Sequence, residues 1–278
     1  MTDQLLRLYP QPGEHRALRG LYLGHELHRL GGADVPFVYA NFITTLDGRI
    51  ALRDSEQGRD YVPDRLSNPN DFRLLLELHA QADCLITHGG YLRALAEGRE
   101  GNVLHLGAAG EAHGDLGLWR RAQGLDPEPA IVVASASLDF PDPRFAVAAG
   151  QRVLIATGCE AATADVRRWR SRGYEVLVAG TGRLVEGGPL ADQLAGLGYR
   201  SVYLMAGPAM LETMLRDRRL SRLYLSITHQ IMGGVPFRSL SEGPALGVGG
   251  ALRLRELWFD ASSPEGMGQW FAQFECAP

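Results

Sequence analysis

Residues able to do chemistry collect just past the apolar runs of this chain. Asp47 stands in Thr44-Thr45-Leu46-Asp47-Gly48, directly after the β-branched and aromatic run Val35–Ile43. A carboxylate there can bind a ligand or move a proton; it can equally accept backbone N–H bonds within its own turn. Ala206-Gly207-Pro208 follows the run Ser201–Met205 and opens a helical stretch. A glycine before a helix lets backbone approach a ligand. The free N–H groups of the first turn favour a phosphate, and a proline there removes no internal hydrogen bond. Thr87-His88-Gly89-Gly90 closes a short run from Cys84, and Thr157-Gly158 closes another, Arg152–Ala156. Ligands of open α/β sheets bind beyond the carboxyl ends of strands. Thr87, Gly89, Gly90, Thr157, Gly158, Ala206, Gly207 and Pro208 therefore outline a dinucleotide site, although no Gly-x-Gly-x-x-Gly is present. Glu186-Gly187-Gly188-Pro189 looks similar but follows no strong strand, and reads as a turn with Glu186 in solvent.

A sheet must hold these positions. Ala130–Ala134, Arg152–Ala156, Glu175–Val178, Ser201–Met205 and Leu223–Thr228 read as strands. Thr163–Ser171, Leu190–Leu197 and Ala209–Leu215 read as helices between them, a pattern of βα units on a largely parallel sheet. Ser67 or Asn68 can cap a helix beginning at Pro69, and Leu252–Phe259 alternates like an antiparallel edge strand. The stretch 53–68 reads as a polar loop. The stretch 98–129, with seven glycines and no period, reads as an excursion or flap. Residues 1–34 are polar and mixed, an N-terminal extension to one α/β domain over 35–278.

All 28 basic residues are arginine, against 32 acidic residues, for a net charge of -4. Without lysine there is no Schiff base, no Walker P-loop and no kinase-type strand lysine. Net acidity gives no reason to expect nucleic-acid binding. Three cysteines without metal-type spacing fit a reducing cytoplasm. No metal site, signal peptide or membrane span is read.

Phe37–Ala51, FVYANFITTLDGRIA, resembles the pyrimidine reductase family of riboflavin biosynthesis, whose domain has a dihydrofolate-reductase-like fold. Asn41, Thr45, Asp47, Gly48, Arg49 and Ile50 match its first motif in order. Ala82–Ile86 resembles the family's next strand, Leu204–Leu215 its strand–glycine–helix element, and Leu220–Gly234 the strand that follows. The resemblance implies a three-layer α/β fold with a central, mostly parallel sheet and an antiparallel edge. It implies NADPH-dependent hydride transfer to the ribose C1′ of a phosphorylated ribosylaminopyrimidine, or of a related pterin-like substrate. It also implies catalytic Asp47, Asn41 and Thr45 facing the substrate, Gly48 and the strand-end glycines at the cofactor, and a homodimer. Uncovered apolar strands near Leu223 and Leu252 give a physical reason for the dimer. With no ammonium available, Arg59, Arg65 and Arg73 are candidates for substrate phosphate, and each can equally be a surface charge.

Two motifs depart from the family. Met205-Ala206-Gly207 stands where Glu-Gly-Gly is usual, and His88-Gly89-Gly90-Tyr91 where Gly-x-Gly-Thr is usual. Alternatives are a nucleotide-binding protein of the same fold that has lost its chemistry, and a dihydrofolate-type reductase.

Overall fold

The computed structural model describes residues 4–54, 58–63, 65–262 and 266–276. The chain opens with a hairpin, β1 (Gln4–Tyr9) and β2 (His15–Ala17), then runs through β3 (Phe37–Thr45), β4 (Arg49–Arg53) and β5 (Asp60–Tyr61). Helix α1 (Pro69–His79) leads to β6 (Cys84–His88), α2 (Gly89–Ala96), α3 (Gly114–Ala122) and β7 (Ala130–Ala134). Strand and helix then alternate: β8 (Val153–Thr157), α4 (Thr163–Ser171), β9 (Glu175–Val178), α5 (Gly187–Gly196), β10 (Ser201–Leu204), α6 (Pro208–Arg216) and β11 (Arg222–Thr228). The chain ends in β12 (Phe237–Ser239), β13 (Leu252–Asp260) and β14 (Gln269–Cys276).

The main sheet has the order β2-β1-β13-β14-β11-β3-β10-β6-β7-β8-β9. From β11 to β9 every pairing is parallel, and from β11 back to β2 every pairing is antiparallel. This is the expected mostly parallel sheet with an antiparallel wing. The parallel strands are apolar on both faces because helices cover both. Ile131 joins one core with Leu74 and Leu78 of α1, Leu92 of α2 and Trp169 of α4; its neighbour Val132 joins the other with Leu190 and Leu194 of α5 and Met210 and Met214 of α6. At about 25 cal/mol per Å² of apolar surface, these two cores supply the main drive for folding.

Several expectations change in three dimensions. Residues 4–34 join the domain: β1 pairs with β13, and Leu5, Leu21, Tyr22 and Leu27 sit in the α1-side core. The fully buried Glu77 carboxylate fastens them, accepting from Gly20 N at 2.6 Å and Tyr22 N at 3.0 Å. Strand β13 lies inside the wing, between β1 and β14, and β14 covers β11. The strand at Leu223 is therefore covered within the chain, whereas Leu252 is exposed and lies beyond the Leu257–Phe259 stretch that β1 pairs. The stretch 98–129 contains α3, whose Leu116 packs with Leu76 of α1, so it is a packed part of the domain. Within 53–68, β5 joins β4 and β12 in a second, three-stranded sheet; residues 55–57 and 64 lie outside the described residues. Gly187 and Gly188 begin α5 rather than forming a turn, and position 187 takes glycine because a Cβ there would stand 2.8 Å from the Met214 Cα. Cys84, Cys159 and Cys276 are unpaired, and among the described residues no helix is long and apolar enough to cross a membrane.

Candidate active site

Asp47 follows β3 in the tight turn to β4. Gly48, at φ +77°, takes a left-handed conformation that disfavours other residues. The carboxylate is fully engaged. Oδ1 accepts from the Thr45 hydroxyl at 2.5 Å and Met232 N at 3.3 Å; Oδ2 accepts from Gly233 N at 2.9 Å and Arg49 Nη1 at 2.7 Å. The Thr45 hydroxyl, then the Gly233 N–H, hold its pKa down to about 2. Asp47 is thus an anion that pins the 230–236 loop to the β3–β4 turn. Leu46 N to Gln230 O, at 2.9 Å, and Arg49 Nε to Gly234 O, at 3.3 Å, continue the seam. Thr45 is buried and donates to Asp47, so its hydroxyl is turned to the seam. Asn41 is half-buried on β3 and hydrogen-bonds Tyr203 of β10.

Three adjoining cavities lie beyond the carboxyl ends of β6, β7 and β10, and His88 lines all of them. The first, about 480 Å³, has Ile50 and Ala51 of β4 on one wall and Ala206, Gly207 and Pro208 on another. The second, about 590 Å³, runs between α6 and the loop before α5. The third, about 550 Å³, is lined by Arg59, Gly90, Tyr91 and Glu97 among others. A larger cavity of about 650 Å³ sits at the opposite end of the strands, around Asp83, Arg120 and Arg152, away from every motif above.

His88 caps α2, its Nδ1 accepting from Tyr91 N at 3.3 Å, and burial lowers its pKa. The neutral ring then carries its proton on Nε2 as a donor. The sequence placed His88 at a strand end, either touching a ligand or as a plain loop histidine; its spacing to a helix start, with the ring as cap, was the available signal. Gly207 is the N-cap position of α6, Pro208 opens the helix, and a Cβ at Gly207 would meet nothing within 4 Å. That open approach to a helix N-terminus fits the phosphates of a dinucleotide.

Other expected positions are occupied by packing. Thr87 is buried in β6, and a Cβ on Gly89 would stand 3.0 Å from Phe140. Thr157 is fully buried, and Gly158 is glycine because a Cβ would stand 2.1 Å from the Gly182 carbonyl oxygen. The loop 181–186 stands at the cavity wall instead. Glu186 is partly open to solvent, as expected, and its carboxylate also accepts from Thr181 N at 2.9 Å and the Thr181 hydroxyl at 2.7 Å. Arg59 pairs with Glu97 at 3.1 Å. Arg65 is exposed, and its carbonyl accepts from Gln230. Arg73 is buried between Glu77 and Asp115, at 3.0 and 2.6 Å, and cannot reach a substrate. Met205 packs on the α1-side core, and Tyr91 donates to Gly101 O at 2.6 Å, fixing the segment after α2. Among the described residues no His, Cys, Asp or Glu cluster could hold a metal ion.

A second carboxyl went unremarked in the sequence. Asp71, in the first turn of α1, is buried against β11; its Oδ1 has no partner, and the Ser226 hydroxyl bonds the carboxylate. Burial raises its pKa to about 6.

Fold and site together define an α/β protein with an open cleft at its strand ends. Residues 36–263 match the family model of the RibD C-terminal domain, and the chain belongs to that family. It is 28% identical over 212 residues, 76% of its length and 86% of the relative's, to the 2,5-diamino-6-ribosylamino-4(3H)-pyrimidinone 5′-phosphate reductase of Methanothermobacter thermautotrophicus. Its fold is similar to a pyrimidine reductase-like protein of Corynebacterium diphtheriae, with TM-score 0.60 and 20% identity over 87% of this chain and 92% of that one. It is also similar to the riboflavin biosynthesis reductase Rib7 of Saccharomyces cerevisiae, with TM-score 0.55 and 13% identity over 93% and 99%.

Proposed function

We propose that this chain is a reductase that uses NADPH to reduce a phosphorylated ribosylaminopyrimidine at the ribose C1′. One observation carries the reading: the Asp47 turn and the Ala206–Pro208 helix start, two motifs far apart in sequence, face one cavity through Ile50, Ala51 and Gly207. The name of the Methanothermobacter relative supports the substrate class. Ala206, Gly207 and Pro208, with His88 and Gly90, would hold the cofactor, which when bound supplies the hydride. The chain's own residues set the geometry. Asp47 and Thr45 act as positioning residues, holding β4 and the 230–236 loop as a wall of the cavity. Asn41, hydrogen-bonded to Tyr203, lies on β3, the strand that leads into the Asp47 turn. Holding acceptor and donor in one orientation, away from water, is the main contribution such a site makes.

Purified protein mixed with NADPH and the ribosylaminopyrimidine phosphate is expected to oxidise the cofactor only when substrate is present. A second reading, binding without turnover, is favoured by Met205, which puts a thioether in the core where the family usually has a carboxylate. NADPH binding with no oxidation across carbonyl substrates selects that reading, and no dinucleotide binding rejects both. A homodimer is part of the proposal, with Ile231 and Val235, both highly exposed on the pinned loop, as the surface to cover. A monomer by light scattering rejects that part.

A further inference from the structure

The loop between β9 and α5 is clamped more firmly than a connection needs. A Cβ at Gly158 would stand 2.6 Å from the Arg183 carbonyl carbon, and one at Gly180 would stand 2.1 Å from the Leu184 carbonyl oxygen. Cys159 N donates to Gly180 O at 3.0 Å, Glu160 N to Gly182 O at 3.2 Å, and Glu186 N to Ala179 O at 2.7 Å. The Glu186 carboxylate holds Thr181 from the far side. On this fixed loop Arg183 is exposed at the wall of the 590 Å³ cavity. Among the described residues it has no ion pair, and the N–H groups of Gly182, Arg183 and Leu184 donate to no protein acceptor. Of the other charges of that cavity, Glu212 holds Arg216 at 3.1 Å, Glu242 holds Arg238 at 2.7 Å, and the Glu186 carboxylate is engaged by the N–H and hydroxyl of Thr181. An exposed guanidinium beside backbone N–H groups open to solvent is the complement of an anion.

The cleft therefore has two separate anion-ready places, the start of α6 in one cavity and the Arg183 loop in the next, joined at His88. NADPH carries two separate anionic groups, its pyrophosphate and its 2′-phosphate, whereas NADH carries only the first. We propose that Arg183 reads the 2′-phosphate, so that the loop 181–185 sets the preference for NADPH over NADH. The assignment rests on the nicotinamide reading above.

Binding of NADPH and NADH to wild type, Arg183→Ala and Arg183→Lys, followed by fluorescence titration at low and high salt, tests it. The Arg183 side chain is exposed and, among the described residues, makes no hydrogen bond or ion pair, and circular dichroism checks the variants. Arg183→Ala is expected to weaken NADPH about 10- to 100-fold, to leave NADH unchanged, and to remove much of the salt dependence of NADPH binding. Arg183→Lys is expected to retain part of the preference. In wild type 2′-AMP is expected to compete with NADPH better than 5′-AMP. Equal losses for both dinucleotides, no loss for either, or a wild type that binds both alike would overturn the assignment while leaving the reductase reading intact. A wild type that binds neither dinucleotide would overturn the reductase reading itself.

Discussion

Two aspartates hang from the same strand pair and behave in opposite ways. Asp47 follows β3, and Asp71 reaches β11 through Ser226, which pairs with Ile43 two residues before Thr45. Asp47 is partly open to water and accepts four hydrogen bonds, which hold its pKa near about 2. Asp71 is buried with one oxygen unpartnered, and its pKa rises to about 6. Donors aimed at the charge favour the anion, and burial without them favours the neutral acid. The carboxyl that looks chemical in sequence is a fixed anion holding a loop, and burial raises the pKa of the one that looks like an ordinary helix residue to about 6.

The largest test removes the charge of Asp47. In Asp47→Asn the amide cannot accept from all four donors, and its own N–H groups face Arg49 or Gly233. The 230–236 loop should part from the β3–β4 turn. Turnover of NADPH with substrate is expected to fall on the order of 100-fold, because a small misplacement of the cavity wall is enough. NADPH affinity should change less, since Gly207 and Pro208 are untouched. If affinity falls and turnover of the bound complex does not, Asp47 belongs to the cofactor site rather than to the wall. In stability, Asp47 contributes above about pH 4, where an unfolded aspartate is already ionised, and that contribution is lost as pH falls toward about 2.

The difference between the two aspartates also marks what the sequence could show. Ala130–Ala134 was legible as a strand because every residue is apolar and buried, and Thr163–Ser171 as a helix because Val166 and Trp169, three residues apart, put one face on the core. The small sheet was not legible. Strands β4, β5 and β12 are short and half-exposed, and charges such as Arg238 and Asp60, paired at 2.8 Å across the sheet, read as loop. The motif around Asp47 was visible as a string, but its role depends on Met232 and Gly233, some 185 residues away. Arg73 looked like a free cation, although Glu77 four residues on was a sign of a helical pair. Asp71 looked like the first-turn acid of a helix capped by Asn68, which it is; only the packing of α1 on the sheet buries it.

A smaller effect, of opposite sign, is expected at Asp71. Its folded pKa lies above the unfolded value of about 3.9, so between about pH 4 and 6 the folded state binds more protons. Stability should fall as pH rises through that window and stay level above it. Asp71→Asn removes the ionisable group and keeps a partner for Ser226. It is expected to be more stable than wild type by about 1–3 kcal/mol above pH 6, with the difference vanishing near pH 4. Urea unfolding at the two pH values measures it. A variant equally destabilised at both would show that Asp71 is held as a needed anion, and the contrast with Asp47 would collapse.

The smallest test asks whether the Ser226 hydroxyl accounts for the part of the Asp71 charge that burial leaves. Ser226 supplies the hydrogen bond that favours the ionised carboxyl, while the other oxygen has none. Ser226→Ala removes that donor and leaves the burial, so the Asp71 pKa should rise further, by up to about one unit. The carboxyl carbon resonance of Asp71, followed by NMR through the acid range, reads the midpoint directly. The seam at Asp47 has no contact with Ser226, so the Asp47 midpoint should stay where it is. A rise at Asp71 alone shows that each carboxyl is governed by its own donors. A midpoint that falls or stands still would mean that water reaches the unpartnered oxygen when the hydroxyl is removed, and that the packing of α1 against β11 is looser than its burial indicates.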